Sequence, residues 1–180
     1  TITNDGTLRV NCMVPGTVIG GSGETTIEKM EGTASDMETL RRLLDIAAAD
    51  PKQSYSIRLE KAQESDEGFV ITGDVTIPGN VVIMCSNGTY TGRIVIGEGT
   101  NVILSGQIVD TAAELLVRGT LHVTPSGSVQ GEDGMEVFID SGYVNVGRLE
   151  IAETGTVNNE GAITTCDAAD ETAGQYSVMV

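Results

Sequence analysis

Tryptophan is absent from the 180-residue chain, and only Phe69, Phe138 and four Tyr supply aromatic volume. That excludes a core built around large rings and leaves burial to Val, Ile, Leu and Met, which suit a narrow, regularly repeating interior. Proline is scarce, at 4 residues against 23 Gly, so the turns rest on residues that tolerate positive φ and close backbone approach. A single histidine, His122, and three scattered cysteines, Cys12, Cys85 and Cys166, without Cys-x-x-Cys spacing, argue against a zinc site. The cysteines read as three small buried thiols, with one disulfide as the alternative. Lys and Arg number 10 against 26 Asp and Glu, a formal net charge of −16. This balance argues against nucleic acid or an anionic membrane as partner, because both are bound through clustered cations. No apolar run is long enough to cross a bilayer, so membrane insertion is not expected, and no signal peptide is seen. The chain starts at Thr1 without Met, as expected of a processed protein or an excised piece, from which any export signal would already have been removed.

The aliphatics that are present come in short alternating pairs: Val75/Ile77, Val81/Ile83, Ile94/Ile96, Val102/Leu104, Leu115/Val117, Leu121/Val123, Val137/Ile139 and Val144/Val146, then Val157 and Ile163. Taking Val75, Ile94, Leu115, Val137 and Val157 as starting points gives steps that stay close to a single length. A second strand follows each start at Val81, Val102, Leu121, Val144 and Ile163, and a third at Ile108, Val129 and Ile151. Three short strands per coil of about 21 residues, turned at glycines, describe a β-solenoid whose equivalent strands pair in parallel from coil to coil. The segments Gly119–Val129 and Gly147–Val157 echo each other as G-x-L-x-(V/I)-x-x-x-G-x-V, and Gly6–Val10 with Gly16–Val18 is a looser copy. The resulting organisation is an isolated coil or the tail of a preceding module at 1–20, a loop, helix and lead-in strands at 21–74, coils at 75–165 and a C-terminal tail at 166–180. The alternative is a hairpin-built β-sandwich, for which Asn87-Gly88 and Asp133-Gly134 are the turn signals.

One stretch, Ser35 to Asp50, reads as a helix. Ser35 with Glu38 forms a capping box, and Met37, Leu40, Leu43, Leu44, Ile46 and Ala47 make an apolar face against Arg41, Arg42 and Asp45. Pro51 ends it. A stack of coils exposes strand edges and an apolar interior at its mouth, so the expected task of this helix is to cap that end.

A capping helix, the short strand of Ser56–Glu60, a polar loop and then repeating coils resemble the right-handed parallel β-helix proteins, the pectate-lyase-like superfamily and its relatives among bacterial surface proteins. The resemblance spans residues 35–165 and concerns architecture. It implies an all-β, single-stranded right-handed parallel β-helix with an N-terminal capping α-helix. Members include polysaccharide lyases, glycosidases, phage tail fibres and adhesins, so activity does not follow from the fold. With no catalytic set legible, the expectation is a non-enzymatic structural or adhesive module of an exported bacterial protein, extracellular or at the cell surface. A carbohydrate-binding or polysaccharide-degrading β-helix domain is the alternative, and a bactofilin-like filament a third reading. A glycan or another surface protein is the expected partner.

The candidate residues form two sets. Glu132, Asp133, Glu136 and Asp140 offer oxygen ligands for calcium, the one cofactor considered, against the reading that they are solvated turn charges. Arg93, Arg118 and Arg148 are spaced for neighbouring coils and, with Tyr143 as a stacking ring, form a stripe for a carboxylated glycan; alternatively each neutralises an acidic neighbour. Tyr90 is a second ring available for stacking. His122 should point outward and lacks a nucleophile partner, while Asn80 and Asn101 are candidates for a side-chain ladder.

Overall fold

The structure is a computed structural model that describes residues 1–60, 67–85, 92–125, 127–130, 136–139 and 142–165. It is mostly β, with parallel pairing throughout apart from one antiparallel hairpin among the described residues. The first strands are β1 (Ile2–Thr3), β2 (Thr7–Val10), β3 (Ile19–Gly20), β4 (Glu24–Ile27) and β5 (Met30–Ala34). β1 pairs with β3 and β2 with β4, placing Ile2 opposite Ile19 and Leu8 opposite Thr25, and an isolated bridge sets Met13 opposite Met30. The three pairings share one sequence spacing, so residues 1–20 are the first layer of a parallel stack that continues through β5.

Helix α1 (Met37–Ala49) follows β5, in a run of Leu, Arg and Ala that favours helix. Its N-cap is Asp36 and not Ser35: the Thr39 amide donates to Asp36 Oδ1 at 2.8 Å, and that bond holds the carboxyl below the usual carboxylate range. An Asp at this position reaches the orphan amide three residues on, as the Ser–Glu box was expected to do. Leu40, Leu43, Leu44 and Ala47 are buried, each large one contributing about 1.5–3 kcal/mol. Asn80 closes the other end of the helix, with Nδ2 donating to the carbonyls of Ala47 at 3.0 Å and Gln53 at 2.8 Å. Asn101 instead donates to Asp74 at 3.0 Å, so the two asparagines do not form a ladder.

Beyond the helix come β6 (Tyr55–Leu59), β7 (Phe69–Ile71), β8 (Val75–Ile77), β9 (Val81–Met84), β10 (Arg93–Ile96), β11 (Asn101–Leu104), β12 (Gln107–Val117), β13 (Thr120–Val123), β14 (Gly127–Gln130), β15 (Glu136–Ile139), β16 (Tyr143–Ile151), β17 (Thr156–Asn159) and β18 (Ala162–Thr165). They form three parallel ladders. Ladder one runs β5, β6, β9, the first half of β12, the first half of β16, then β18. Ladder two joins β7, β10 and the second halves of β12 and β16. Ladder three joins β8, β11, β13 and β17. The chain visits the three in that order and returns to ladder one.

The register aligns like with like. Ile57, Ile83, Ile108, Val144 and Ile163 stand opposite one another along ladder one. Phe69, Ile94, Leu115 and Leu149 do so on ladder two, and Val75, Val102, Leu121 and Val157 on ladder three. These rows form one hydrophobic cluster, most of whose members are less than 5% exposed, with the final residues Ile163, Leu149 and Val157 partly buried against it.

Of the five starting points read from the sequence, only Ile94 and Leu115 face each other. Val75 faces Val102, Val157 faces Leu121, and Val137 lies in the antiparallel β14–β15 hairpin opposite Val129. Beyond α1 the shortest passes run from Val102 to Leu121 and from Val144 to Ile163. The pass from Leu121 to Val157 is nearly twice as long, because the hairpin interrupts the corner between ladders three and one. The pair Asp133-Gly134 falls between the two hairpin strands, outside the described residues, as does Asn87-Gly88.

Tight stacking is also visible at Gly119, where an added Cβ would lie 2.3 Å from the Gly97 carbonyl oxygen and 2.5 Å from that of Thr100, in the neighbouring pass. Gly6 has nothing within 4 Å of the same position. Gly119→Ala is therefore expected to destabilise the protein by about 1–3 kcal/mol, and Gly6→Ala to change stability by less than about 0.5 kcal/mol, in urea unfolding monitored by circular dichroism. Equal midpoints for the two variants would contradict the stacking at this corner.

Candidate functional site: an arginine-lined cleft on ladder two

Alternation along β12 buries Leu115 and Val117 and turns Glu114, Leu116 and Arg118 outward. The ladder register places Arg93 and Arg148 on either side of Glu114, an Arg–Glu–Arg row across three adjacent strands. Arg93 donates from Nε and Nη2 to Glu114 Oε2 at 2.8 and 2.6 Å. Arg148 reaches Glu150 at 3.0 Å and Glu114 Oε1 at 3.8 Å. Arg118, beyond the end of β12, makes one long contact of 3.5 Å with Glu67. All three arginines line one cleft of about 240 Å³ whose floor includes Leu116.

The three arginines thus come together, and each also meets an acidic neighbour. Side-chain exposures of 29–59% put these ion pairs in solvent, where each is worth at most about 1 kcal/mol. Tyr143 does not join them: it opens β16 on ladder one, opposite Gln107 and Ala162. Glu132, Asp133 and Asp140 lie outside the described residues, and Glu136 is described by its backbone in β15, so the calcium set has no described geometry. Among the described residues no group of three or more His, Cys, Asp or Glu could hold a metal ion. His122 sits on the outer side of ladder three, with Nε2 3.7 Å from Glu160. Tyr90 and Cys166 are not among the described residues.

Glu114, Glu150 and Leu116 complete the cleft and were not singled out from the sequence. Alternation marks Glu114 and Leu116 as outward, but only the register, which sets Glu114 opposite Arg93 on one side and Arg148 on the other, tells which arginines flank them. A second missed group is Asp110, 8% exposed, whose carboxylate accepts from the amides of Cys85 at 2.9 Å and Ala112 at 3.2 Å and so holds the corner between ladders one and two.

No protein-family model, no curated protein and no solved structure matches the chain.

Cys85 is 4% exposed, and burial, with the Asp110 charge adding to it, pushes its thiol from 9.0 up to about 12. The folded state thus keeps a proton that the unfolded chain releases near pH 9, so this contribution to stability is complete below about pH 9 and is lost as pH rises toward 12. Alkylation of the native protein at pH 8, read peptide by peptide in a mass spectrometer, is expected to modify the exposed Cys12 and spare Cys85. Between pH 8 and 10.5 the urea midpoint should fall more in the native sequence than in Cys85→Ala; identical falls would contradict the burial of this thiol.

Proposed function

We propose that the three ladders are the faces of a right-handed parallel β-helix, a solenoid, and that the protein serves as a non-enzymatic structural or adhesive module of an exported bacterial surface protein. Parallel strands joined through successive crossovers take the right hand almost without exception. In this reading α1 is a plug: it occupies the place in its pass that β7 and β8 take in the next, and it packs against β5 and β6 of ladder one and against β8, where ladder three begins. One observation carries the proposal, namely the in-register rows of Ile, Leu and Val that run along all three ladders. Such an interior is devoted to stiffness. Seven positions along ladder one, from Met13 to Ala162, give a rod of about 29 Å at the usual strand spacing.

A second reading, a glycan-binding or polysaccharide-degrading domain, draws on the convergence of Arg93, Arg118 and Arg148 in one cleft. The scaffold reading is preferred because these guanidiniums already carry carboxylate partners and, among the described residues, no aromatic side chain lines the cleft.

Incubating the protein with a panel of acidic and neutral polysaccharides, with and without calcium, is expected to release no new reducing or unsaturated ends. Product that appears with the native sequence and vanishes in Glu136→Gln or Asp140→Asn would overturn the proposal.

A further inference from the structure

Every cation from residue 62 onward, namely Arg93, Arg118 and Arg148, lines the ladder-two cleft, in a chain whose net charge is −16. Their hydrogen-bonding capacity is unevenly used. A guanidinium has five N–H donors. Arg93 directs Nε and Nη2 to Glu114, whereas Arg148 has one close partner and Arg118 has a single contact of 3.5 Å among the described residues. The Arg118 and Arg148 side chains are 39% and 55% exposed, so the remaining donors are within reach of a solute. Leu116 lies between the Arg93–Glu114–Arg148 row and Arg118 and is an apolar member of the mostly polar lining.

We propose that this cleft binds a single carboxylate carried on an otherwise uncharged ligand, with Arg118 and Arg148 as the donors and Leu116 beneath the ligand's apolar part. The groups already paired with these arginines are carboxylates held by single N–O contacts, and a guanidinium has the donors to give an external carboxylate a forked pair of hydrogen bonds. The charge of the ligand follows from the surroundings. The cleft lining holds three guanidiniums against two carboxylates, and Glu67, 3.5 Å from Arg118, is a third acid beside them, so the local charge is close to neutral. The rest of the surface is acidic, and its repulsion grows with every negative charge the ligand adds, while charges beyond about 8 Å are screened at physiological salt. One carboxylate therefore gains hydrogen bonds from the unused guanidinium donors at little long-range cost, and a polyanion meets repulsion that those donors do not offset. A volume of about 240 Å³ likewise suits a small ligand or one terminal group of a larger one. The inference goes beyond the scaffold reading, which stands whether or not the cleft binds anything.

The test is a titration followed through the arginine Nε–Hε resonances in ¹⁵N-correlated NMR spectra. N-acetylglycine supplies a peptide-type carboxylate, methyl glucuronoside a sugar acid, N-acetylglycinamide a neutral control and a poly-glutamate peptide a polyanion. Expected are saturable shifts of Arg118 and Arg148 with at least one mono-acid, the tighter of the two identifying the source, and none with the neutral control. Affinity, followed in the variant through the Arg93 Nε–Hε resonance, should fall at least about tenfold in Arg118→Gln/Arg148→Gln with the melting curve unchanged. Should the double variant fail to fold, Arg118→Gln alone, which gives up only the long contact to Glu67, carries the comparison. No saturable shift with either mono-acid, equal binding by the variant, or tighter binding of the polyanion would each overturn the proposal.

Discussion

The structure depends on one constraint: parallel backbone pairing in a register that brings apolar side chain opposite apolar side chain along the rows that start at Ile57, Phe69 and Val75. Parallel strands bond evenly along their length and leave every second side chain on the same face. When the inward set is Ile57, Ile83, Ile108, Val144 and Ile163 on one ladder and Val75, Val102, Leu121 and Val157 on another, a slip by a single position would turn a whole row toward solvent. Among the described residues the buried rings are Tyr55 and Phe69, and the rows are otherwise filled by Val, Ile and Leu.

Variation is confined to the corners. Between ladders one and two the connection shrinks from residues 60–68 to 85–92, then to the bend between Asp110 and Glu114 inside β12, where the register shifts. The hairpin β14–β15 enlarges a different corner without disturbing the strands on either side of it, since Leu121 still meets Val157 and Ile108 still meets Val144. Loop insertions of this kind cost little, because closure entropy rises slowly with length. The outward rows are equally free to vary in chemistry, and on ladder two that freedom is used to set Arg93, Glu114 and Arg148 side by side.

The mostly β architecture was legible because alternation is local. Pairs such as Val102/Leu104 and Leu121/Val123 mark inward residues whatever they pair with, and both lie 0–1% exposed. The helix was legible for a similar reason, with its cap displaced by one position to Asp36. What alternation does not encode is which strand meets which. Corner loops of unequal length made the even spacing of successive strands look like the repeat, although the pass from Leu121 to Val157 is nearly twice that from Val102 to Leu121. At the cleft, the arginines were identifiable as scarce cations on an acidic chain. Their partner Glu114 is distant in sequence from both Arg93 and Arg148 and becomes visible only through register. Asn80 shows the limit most clearly: its role as the closure of α1 depends on a contact with Ala47 in a different part of the chain.

The stacked register is tested most directly by inter-strand contacts in solution NMR. Nuclear Overhauser effects linking the backbone of Val102 to that of Leu121, and Leu121 to Val157, in the staggered pattern of parallel strands are the predicted result. Close Hα–Hα contacts of antiparallel pairs among these strands, or partners shifted by even one position, would contradict it.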